Sequence, residues 1–136
     1  DGFSIGSNDL TQLTLGIDRD SAKIAWEFDE SNPAVMRSIE MLCEGAHSMN
    51  PTRTVGICGQ APSDLGREFI KFLTIHLDSI GVNRDKVVET LLLVKKIEDE
   101  LREVVEKNKK DYAKIANELG ITEISSKYLI KKLSAA

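Results

Sequence analysis

The sequence predicts an α/β fold with parallel strands, followed by an α-helical tail. Two observations lead to this prediction. Short runs rich in Ile and Val alternate with longer helical patterns in the first part of the chain. The composition then changes near residue 83: eight of the nine glycines and all three prolines lie before residue 84. Charge changes at the same point, from 6 basic and 12 acidic residues (net −6) to 12 basic and 10 acidic residues (net +2).

Three short apolar runs in the first part are predicted as buried strands, because they are too short for helices: Phe3–Ile5, Thr54–Cys58 and Ser79–Val82. Fewer than four strands cannot close a barrel, and both edges of such a sheet would stay open. The first part is therefore expected to be incomplete by itself.

Helical patterns separate these strands. Pro33 suits the first position of a helix that reaches about Met49, with Val35, Ile39, Leu42 and Ala46 at helical spacing. Ser63 or Asp64 is predicted to cap a second helix, whose apolar stripe is Phe69, Phe72 and Leu73.

The part of the chain after residue 83 is predicted as one long helix and two shorter ones. The long helix starts near Arg84 and carries the stripe Val87, Val88, Leu91, Val94, Ile97, Leu101, Val104 and Val105. The second helix stops at Gly120, and the third runs from about Thr122 to Leu133. Because the stripe is longer than one strand can cover, we expect it to be covered partly by the shorter helices and partly by a second copy of the chain.

Composition limits the class of protein. The chain has 136 residues, 41% hydrophobic and 29% charged, which is typical of one globular domain. No apolar run is long enough to span a bilayer. The net charge of −4 disfavours nucleic-acid binding. Two cysteines give no disulfide framework, so a reducing, cytoplasmic location is predicted. Because the chain begins at Asp1 without a leader, we expect a processed product or a piece of a longer protein.

Polar residues follow the first predicted strand, in the segment Gly6-Ser7-Asn8-Asp9-Leu10. The carboxyl ends of parallel strands commonly carry active-site residues. Asp9 could bind Mg²⁺, and Asn8 could donate to a phosphate or carboxylate. Alternatively, Asn8 or Asp9 simply caps the following helix.

Cys58 ends the second predicted strand and precedes the turn at Gly59. A thiol beside a glycine turn and a helix start has features that favour proton transfer. A buried, inert cysteine is the alternative. Cys43 lies within a helical apolar pattern and is predicted to pack in the core. His47 and His76 belong to no cluster with metal-ligand spacing.

Arg19 lies between two aspartates, after a short apolar turn predicted at residues 13–17. Its guanidinium could bind a phosphate through two hydrogen bonds. The alternative is a solvated cluster of ion pairs formed with Asp18 and Asp20.

Four segments together resemble the phosphoenolpyruvate synthases, which are pyruvate, water dikinases: FSIGSNDLTQLTLGIDRDS (3–21), NPAV (32–35), VGICGQAPSD (55–64) and DSIGVNRDKVVET (78–90). The resemblance covers residues 1 to about 95 in one continuous order. Pyruvate, phosphate dikinase and phosphotransferase enzyme I share the fold but usually carry Thr at Ser7 and Glu at Gln60, so these positions favour the synthases. Ala61 replaces a more usual Gly, and Gly81-Val82 a more usual Ser-Leu, for which we expect modest local effects.

The resemblance implies a TIM-like (β/α)8 barrel that binds pyruvate and phosphoenolpyruvate. This chain would hold only about three strands, the sixth to eighth, with their helices. By the same resemblance, Asn8 binds the phosphate, Asp9 binds Mg²⁺ and Arg19 contacts the phosphoryl group. Cys58 exchanges the methyl proton of pyruvate, and Ser7 and Gly59 complete the substrate-binding residues.

The resemblance also defines what the sequence lacks: the ATP-binding and phosphohistidine domains, the first five strands, a second acidic metal ligand and further arginines. ATP would therefore act only through domains outside this sequence. Residues 1–95 are predicted as the end of the barrel domain, and residues 96–136 as a helical tail that serves oligomerisation.

The implied reaction converts ATP, pyruvate and water to phosphoenolpyruvate, AMP and phosphate through a phosphohistidine, with the isolated chain inactive. A non-catalytic oligomerisation module, or one of the two related enzymes, is the alternative. A DNA-binding helix-turn-helix in the tail is a third alternative. Its apolar spacing is not specific, because a packed helical hairpin has the same spacing.

Overall fold

A computed structural model describes residues 1–135. Its sheet has three parallel strands in the order β1-β2-β3, with β1 at Gly2–Gly6, β2 at Thr54–Cys58 and β3 at Ser79–Ile80. Helices connect the strands, which confirms the predicted α/β class. The third strand is two residues shorter than predicted. Within residues 1–135, β1 and β3 each pair on one side only.

Helix α1, Ser7–Leu15, follows β1 directly and ends at Gly16, which adopts a left-handed conformation with φ of 64°. The prediction of a short apolar turn at residues 13–17 is wrong, because this segment holds the last turn of α1 and its cap. The buried side chains of α1 are Ser7 and Thr11, which are polar. The apolar side chains of α1 that pack against the core, Leu10 and Leu15, are only partly buried, so the helical pattern of this segment is weak in sequence.

Helix α2, Pro33–His47, begins where the sequence predicts. The side chain of Asn32 caps it by accepting a hydrogen bond from the Ala34 N–H at 2.9 Å. Proline at the first position costs no hydrogen bond, since that N–H has no partner within the helix. The helix buries Val35, Ile39, Cys43 and Ala46.

The segment after β2 differs from the prediction. A short helix α3, Ala61–Asp64, precedes α4, Gly66–His76. Neither Ser63 nor Asp64 caps α4, because Leu65 occupies the cap position and makes no side-chain cap hydrogen bond. The Ser63 hydroxyl instead accepts a hydrogen bond from the Asn83 N–H at 2.9 Å, which ties α3 to the segment after β3.

The last part of the chain forms α5 (Val87–Lys107), α6 (Tyr112–Leu119) and α7 (Glu123–Ser134). A single 3₁₀ turn at Arg84–Lys86 precedes α5. Gly120 ends α6 with a φ of 66°, as predicted. The start of α7 also agrees with the prediction, and Thr122 caps this helix by accepting a hydrogen bond from the Ser125 N–H. Helix α5 passes through the predicted boundary at residue 95 without interruption. The functional division at that residue stays a prediction.

The tail folds back on the α/β part and shares its core. Ile97, Leu101 and Leu129 belong to the same buried cluster as Ile39 and Leu73. Part of the predicted stripe of α5 is therefore covered within the chain. At the start of α5, however, an apolar patch of four side chains is exposed, and we call it the α5 apolar patch: Val87, Val88, Leu91 and Leu92.

Polar contacts fix α7 at the amino ends of the strands. Lys132 Nζ donates to the carbonyl oxygens of Thr74 and Leu77, at the end of α4, the latter at 2.7 Å. Lys132 is thus engaged inside the chain rather than available for a nucleic-acid phosphate. Tyr128 donates to Asp78 Oδ1 at 2.7 Å, and its ring stacks on that of His47.

Asp78 is the centre of this polar cluster. Its Oδ2 lies 2.8 Å from His47 Nε2 and accepts a hydrogen bond from the Val55 N–H at 2.7 Å. Burial acts to raise the pKa of Asp78, but the hydrogen bonds from His47, Tyr128 and Val55 outweigh it and lower the pKa. The carboxylate therefore stays ionised while it joins α2, β2 and α7.

Within residues 1–135, none of the helices combines the length and the apolarity that crossing a membrane requires.

His76 gives folding a dependence on pH. Its side chain is buried, and burial, with a smaller effect of Lys132, lowers its pKa from 6.5 to about 4. Between these two values the unfolded chain binds a proton that the folded chain excludes. Stability should therefore fall as the pH drops from about 6.5 to 4, by on the order of 3 kcal/mol.

The variant His76→Gln tests this, because glutamine does not titrate. Urea unfolding between pH 4 and pH 7 should give a shallower loss of stability for the variant than for the unmodified chain. Equal slopes for the two proteins would contradict the assignment.

Candidate active site

The β1–β2 ladder places two predicted segments side by side. Its register pairs Ile5 with Ile57 and Gly6 with Cys58, so both strands end at the same edge of the sheet. Ser7 continues from β1 into the first turn of α1, and Gly59 follows β2. Five of the six predicted site residues therefore lie together at this edge: Ser7, Asn8, Asp9, Cys58 and Gly59.

Gly59 makes the close approach of the two segments possible. Its φ is +116°, a conformation that residues with a side chain rarely adopt. A Cβ placed on Gly59 would lie only 2.3 Å from Ser7 Oγ and 3.4 Å from Asn8 Oδ1. The turn after β2 is thus packed directly on the turn after β1, and a side chain on Gly59 would separate them.

Asn8 and Asp9 do not cap α1. The cap position is Gly6, and no side chain makes a cap hydrogen bond there. The alternative prediction, that Asn8 or Asp9 serves as a helix cap, is therefore wrong. Asp9 Oδ2 lies near Gly6, at 3.4 Å from the position a Cβ would take, and the Asp9 side chain is exposed. Its carboxylate stands in the first turn of α1, where the helix dipole favours negative charge.

Cys58 and Cys43 have opposite environments. Cys58 is exposed at the end of β2, so the alternative of a buried thiol does not apply to it. Cys43 is buried in the core, and burial, with a smaller contribution from the Asp78 charge, raises the pKa of its thiol to about 12. Cys43 is therefore an inert packing residue, as predicted, while Cys58 is accessible to a substrate.

Arg19 lies apart from the other five residues. It follows α1 on an exposed turn, and its Nε lies 3.9 Å from Asp20 Oδ1. Among residues 1–135, Arg19 makes no hydrogen bond or ion pair with the other five. The geometry shows one exposed ion pair, with Asp20 and not with Asp18, and the phosphate role of Arg19 stays a prediction.

Glu30 joins the site, and the sequence did not indicate it. Its Oε1 accepts a hydrogen bond from Ser7 Oγ at 2.7 Å. The two residues are 23 positions apart, and Glu30 lies in the irregular segment before α2. No periodicity points to such a contact. No local signal in the sequence indicates it either.

The two histidines lie away from this edge. His47 belongs to the polar cluster around Asp78, and His76 is buried. Within residues 1–135, no group of three or more His, Cys, Asp or Glu side chains is arranged to hold a metal ion. Within the described residues, Asp9 therefore belongs to no cluster of metal-binding side chains.

This arrangement, parallel strands whose carboxyl ends carry the polar residues, is the one by which α/β enzymes bind substrates. Comparison with known proteins identifies the class. Residues 1–99 match the model of the PEP-utilising enzyme family, in its PEP-binding domain. The chain belongs to this family.

Phosphoenolpyruvate synthases are among the similar proteins. Over 102 residues the chain is 53% identical to that of Synechocystis sp., and it is 55% identical to that of Aquifex aeolicus over the same length. Each match covers 74% of this chain. The chain is also 57% identical to the phosphoenolpyruvate synthase of Aeropyrum pernix over 102 residues, a match that covers 72% of this chain. The matched region spans 12% of the length of each of these three relatives. Residues 100–136 lie beyond the family match.

The close approach at Gly59 predicts a large effect of a single methyl group. Gly59→Ala should destabilise the chain by about 1–3 kcal/mol, because it forces a strained φ and a collision with Ser7. Gly45→Ala is the matched control. Gly45 lies within α2 with no atom near its Cβ position, so alanine there should stabilise the chain by about 0.5–1 kcal/mol. Urea unfolding measures both, and similar effects of the two substitutions would contradict the packing described.

Proposed function

We propose that the chain is the C-terminal part of the PEP-binding barrel of a phosphoenolpyruvate synthase. In this reaction ATP, pyruvate and water give phosphoenolpyruvate, AMP and phosphate through a phosphohistidine carried elsewhere in the protein. One observation supports the proposal most: β1 and β2 end side by side at Gly6 and Cys58, so the first turn of α1, which carries Asn8 and Asp9, packs on the turn at Gly59. The identity to synthases across this region supports the same reaction. Ser7 and Gln60 favour a synthase over the two related enzymes.

Asp9 fits the role of a magnesium ligand. Its carboxylate is exposed and has no hydrogen-bond or ion-pair partner among residues 1–135. Mg²⁺ is typically held by one or two carboxylates together with oxygens of the substrate and water, so a single Asp is a suitable partial site. Bound there, Mg²⁺ would stabilise negative charge that develops on the substrate oxygen. Asn8, next to it, would donate to the phosphate from its amide.

Cys58 carries the proposed proton transfer. Toward phosphoenolpyruvate, the Cys58 thiolate would take a proton from the methyl carbon of pyruvate, forming an S–H bond as the C–H bond breaks. The electron pair of that bond forms the new carbon–carbon double bond, and the former carbonyl oxygen accepts the phosphoryl group from the phosphohistidine. In the reverse direction the Cys58 thiol returns the proton to carbon.

The remaining elements of the proposal concern the whole protein. Three parallel strands correspond to three of the eight in a (β/α)8 barrel, and the other strands and the ATP-binding domain would lie outside this sequence. Arg19 would contact the phosphoryl group from its exposed turn. The isolated chain, with part of the site, would be inactive. The exposed free thiol of Cys58 suits a reducing compartment, and we place the enzyme in the cytoplasm.

Substitution of Cys58 tests the reaction. In the full-length enzyme, Cys58→Ser should reduce exchange of the pyruvate methyl protons with solvent by at least about 10²-fold, because a serine hydroxyl is a far weaker acid. Phosphorylation of the histidine by ATP should be unchanged. Proton exchange is followed by NMR in deuterated water. Cys43→Ala serves as the control and should keep normal exchange. Normal turnover in Cys58→Ser would contradict the assignment of Cys58 as the proton-transfer residue.

We also propose that helix α5 contributes to self-association through its first turns, which lie within residues 1–95 and not in the tail predicted at residues 96–136. The support is the α5 apolar patch, whose members lie three and four residues apart on one side of the helix and are exposed. The predicted stripe of α5 also includes Leu101 and Val105, which are not available to a second copy. Both are buried within the chain.

Charges placed on the α5 apolar patch should weaken this association. Val88→Glu combined with Leu92→Glu should shift the full-length enzyme toward smaller species in sedimentation velocity. Ile124→Glu, on an exposed apolar position of α7 outside the patch, is the control and should leave the assembly intact. An unchanged assembly in the double variant would contradict the proposal.

A further inference from the structure

The segment between α1 and α2, residues 16–32, carries Arg19 near its start and Glu30 near its end. Glu30 connects this segment to the candidate site through the hydrogen bond from Ser7. We infer that Glu30 is a positioning residue, which holds the first turn of α1 in the conformation that presents Asn8 and Asp9. The inference rests on the proposed function, since it assigns Glu30 a part in the same reaction.

The Ser7 side chain is enclosed by its neighbours and has little freedom to change its orientation. It is only 1% exposed. On one side its hydroxyl faces Gly59, at 2.3 Å from the position a Cβ would take. On the other side it donates to Glu30 Oε1 at 2.7 Å. Because the hydroxyl is enclosed between the turn after β2 and Glu30, its direction is fixed by these two neighbours.

The backbone of Ser7 is fixed as well. Its carbonyl oxygen accepts a hydrogen bond from Thr11 Oγ1 at 2.7 Å, and the Thr11 side chain is buried. Ser7 is therefore held at its hydroxyl by Glu30 and at its carbonyl by α1 itself. The next two residues along the chain are Asn8 and Asp9, so a shift of Ser7 moves both of them.

Glu30 is itself held by a well-bonded turn. Asp29 Oδ1 accepts hydrogen bonds from the N–H of Ser31 at 2.9 Å and from its hydroxyl at 2.6 Å. Asn32, two residues after Glu30, caps α2. The carboxylate is therefore presented from the fixed N-terminus of α2 and not from a freely moving loop. Glu30 thus transmits the position of α2 to the site.

These contacts distinguish positioning from catalysis. Glu30 reaches the site through Ser7 and touches neither Asn8, Asp9 nor Cys58 by a hydrogen bond. What Ser7 needs from it is an acceptor oxygen, which glutamine also offers. Loss of the acceptor should misplace Asn8 and Asp9 and so lower the activity that depends on them. Loss of the charge alone should change that activity little.

The experiment uses the full-length enzyme and four variants: Glu30→Ala, Glu30→Gln, Ser7→Ala and the double variant Ser7→Ala/Glu30→Ala. Glu27→Ala is the matched control, because Glu27 is an exposed acidic residue of the same segment without a side-chain partner among residues 1–135. The readouts are kcat/KM for pyruvate, the Mg²⁺ concentration for half-maximal rate, and phosphorylation of the histidine by ATP.

We expect Glu30→Ala and Ser7→Ala each to lower kcat/KM for pyruvate by roughly tenfold and to raise the Mg²⁺ requirement. The double variant should lose no more than either single one, because both remove the same hydrogen bond. Glu30→Gln should stay within about twofold of the unmodified enzyme. Histidine phosphorylation should be unchanged throughout.

Equal behaviour of Glu30→Ala and Glu27→Ala would overturn the inference, and so would fully additive losses in the double variant. Should Glu30→Ala fail to fold, Ser7→Ala decides the matter, since unchanged constants in that variant also exclude a positioning role. An unmodified enzyme that cannot convert pyruvate overturns the proposed function and the inference together. If the unmodified enzyme is active and Glu30→Ala leaves both kcat/KM for pyruvate and the Mg²⁺ requirement unchanged, only the inference is overturned.

Discussion

The pairing of Gly6 with Cys58 in the parallel β1–β2 ladder determines the geometry of the candidate site. Ile5 and Ile57, one residue earlier in each strand, are opposite each other and both buried. Because side chains alternate along a strand, a shift of one residue would expose one of these isoleucines and bury its neighbour. The core thus fixes the register, and the register brings the first turn of α1 beside Cys58. Polar residues at the surface are placed by apolar residues beneath them.

A second constraint acts on top of the register. The two turns that leave β1 and β2 can meet only because Gly59 has no Cβ. This contact presses the backbone of Gly59 against the Ser7 hydroxyl and directs that hydroxyl toward Glu30. Three segments distant in sequence are thereby linked in order: the turn after β2, the start of α1 and the N-terminus of α2. Each link is short and buried or partly buried, which suits a site that must hold its substrate in a defined orientation.

Local signals in the sequence predicted part of this structure well. Pro33, Gly120 and Thr122 mark helix ends through properties of the residues themselves, and all three lie where they were expected. The position of Asn8, Asp9 and Cys58 at one sheet edge follows from strand direction alone. By contrast, the extent of α1 was predicted wrongly: residues 13–17 were expected to form a turn, although residues up to Leu15 belong to the helix. The start of α4 was misplaced because no side chain caps it.

Long-range contacts made the remaining features impossible to predict from the sequence. Glu30 belongs to the site through one hydrogen bond across 23 residues, and neither its spacing nor its neighbours indicate that bond. Lys132 resembles a solvated lysine in the sequence, yet it donates to the carbonyl oxygens at the end of α4 across 55 residues and more. Periodicity describes which face of one element is buried. It does not describe which polar groups meet when two elements pack.

The two ends of the sheet have separate roles. At the amino ends, Asp78 joins α2, β2 and α7, and the neutral side chain of His76 is buried nearby. The Asp78 carboxylate is hydrogen-bonded within the chain, and one of the helices that supply its partners, α7, lies beyond the family match. At the carboxyl ends, Asp9 and Cys58 are exposed, and their functional groups are not consumed by internal bonds. Helix α7, which packs on the amino ends, therefore lies at the opposite end of the sheet from the first turn of α1. Changes at Gly59, Ser7 or Glu30 act on that turn directly.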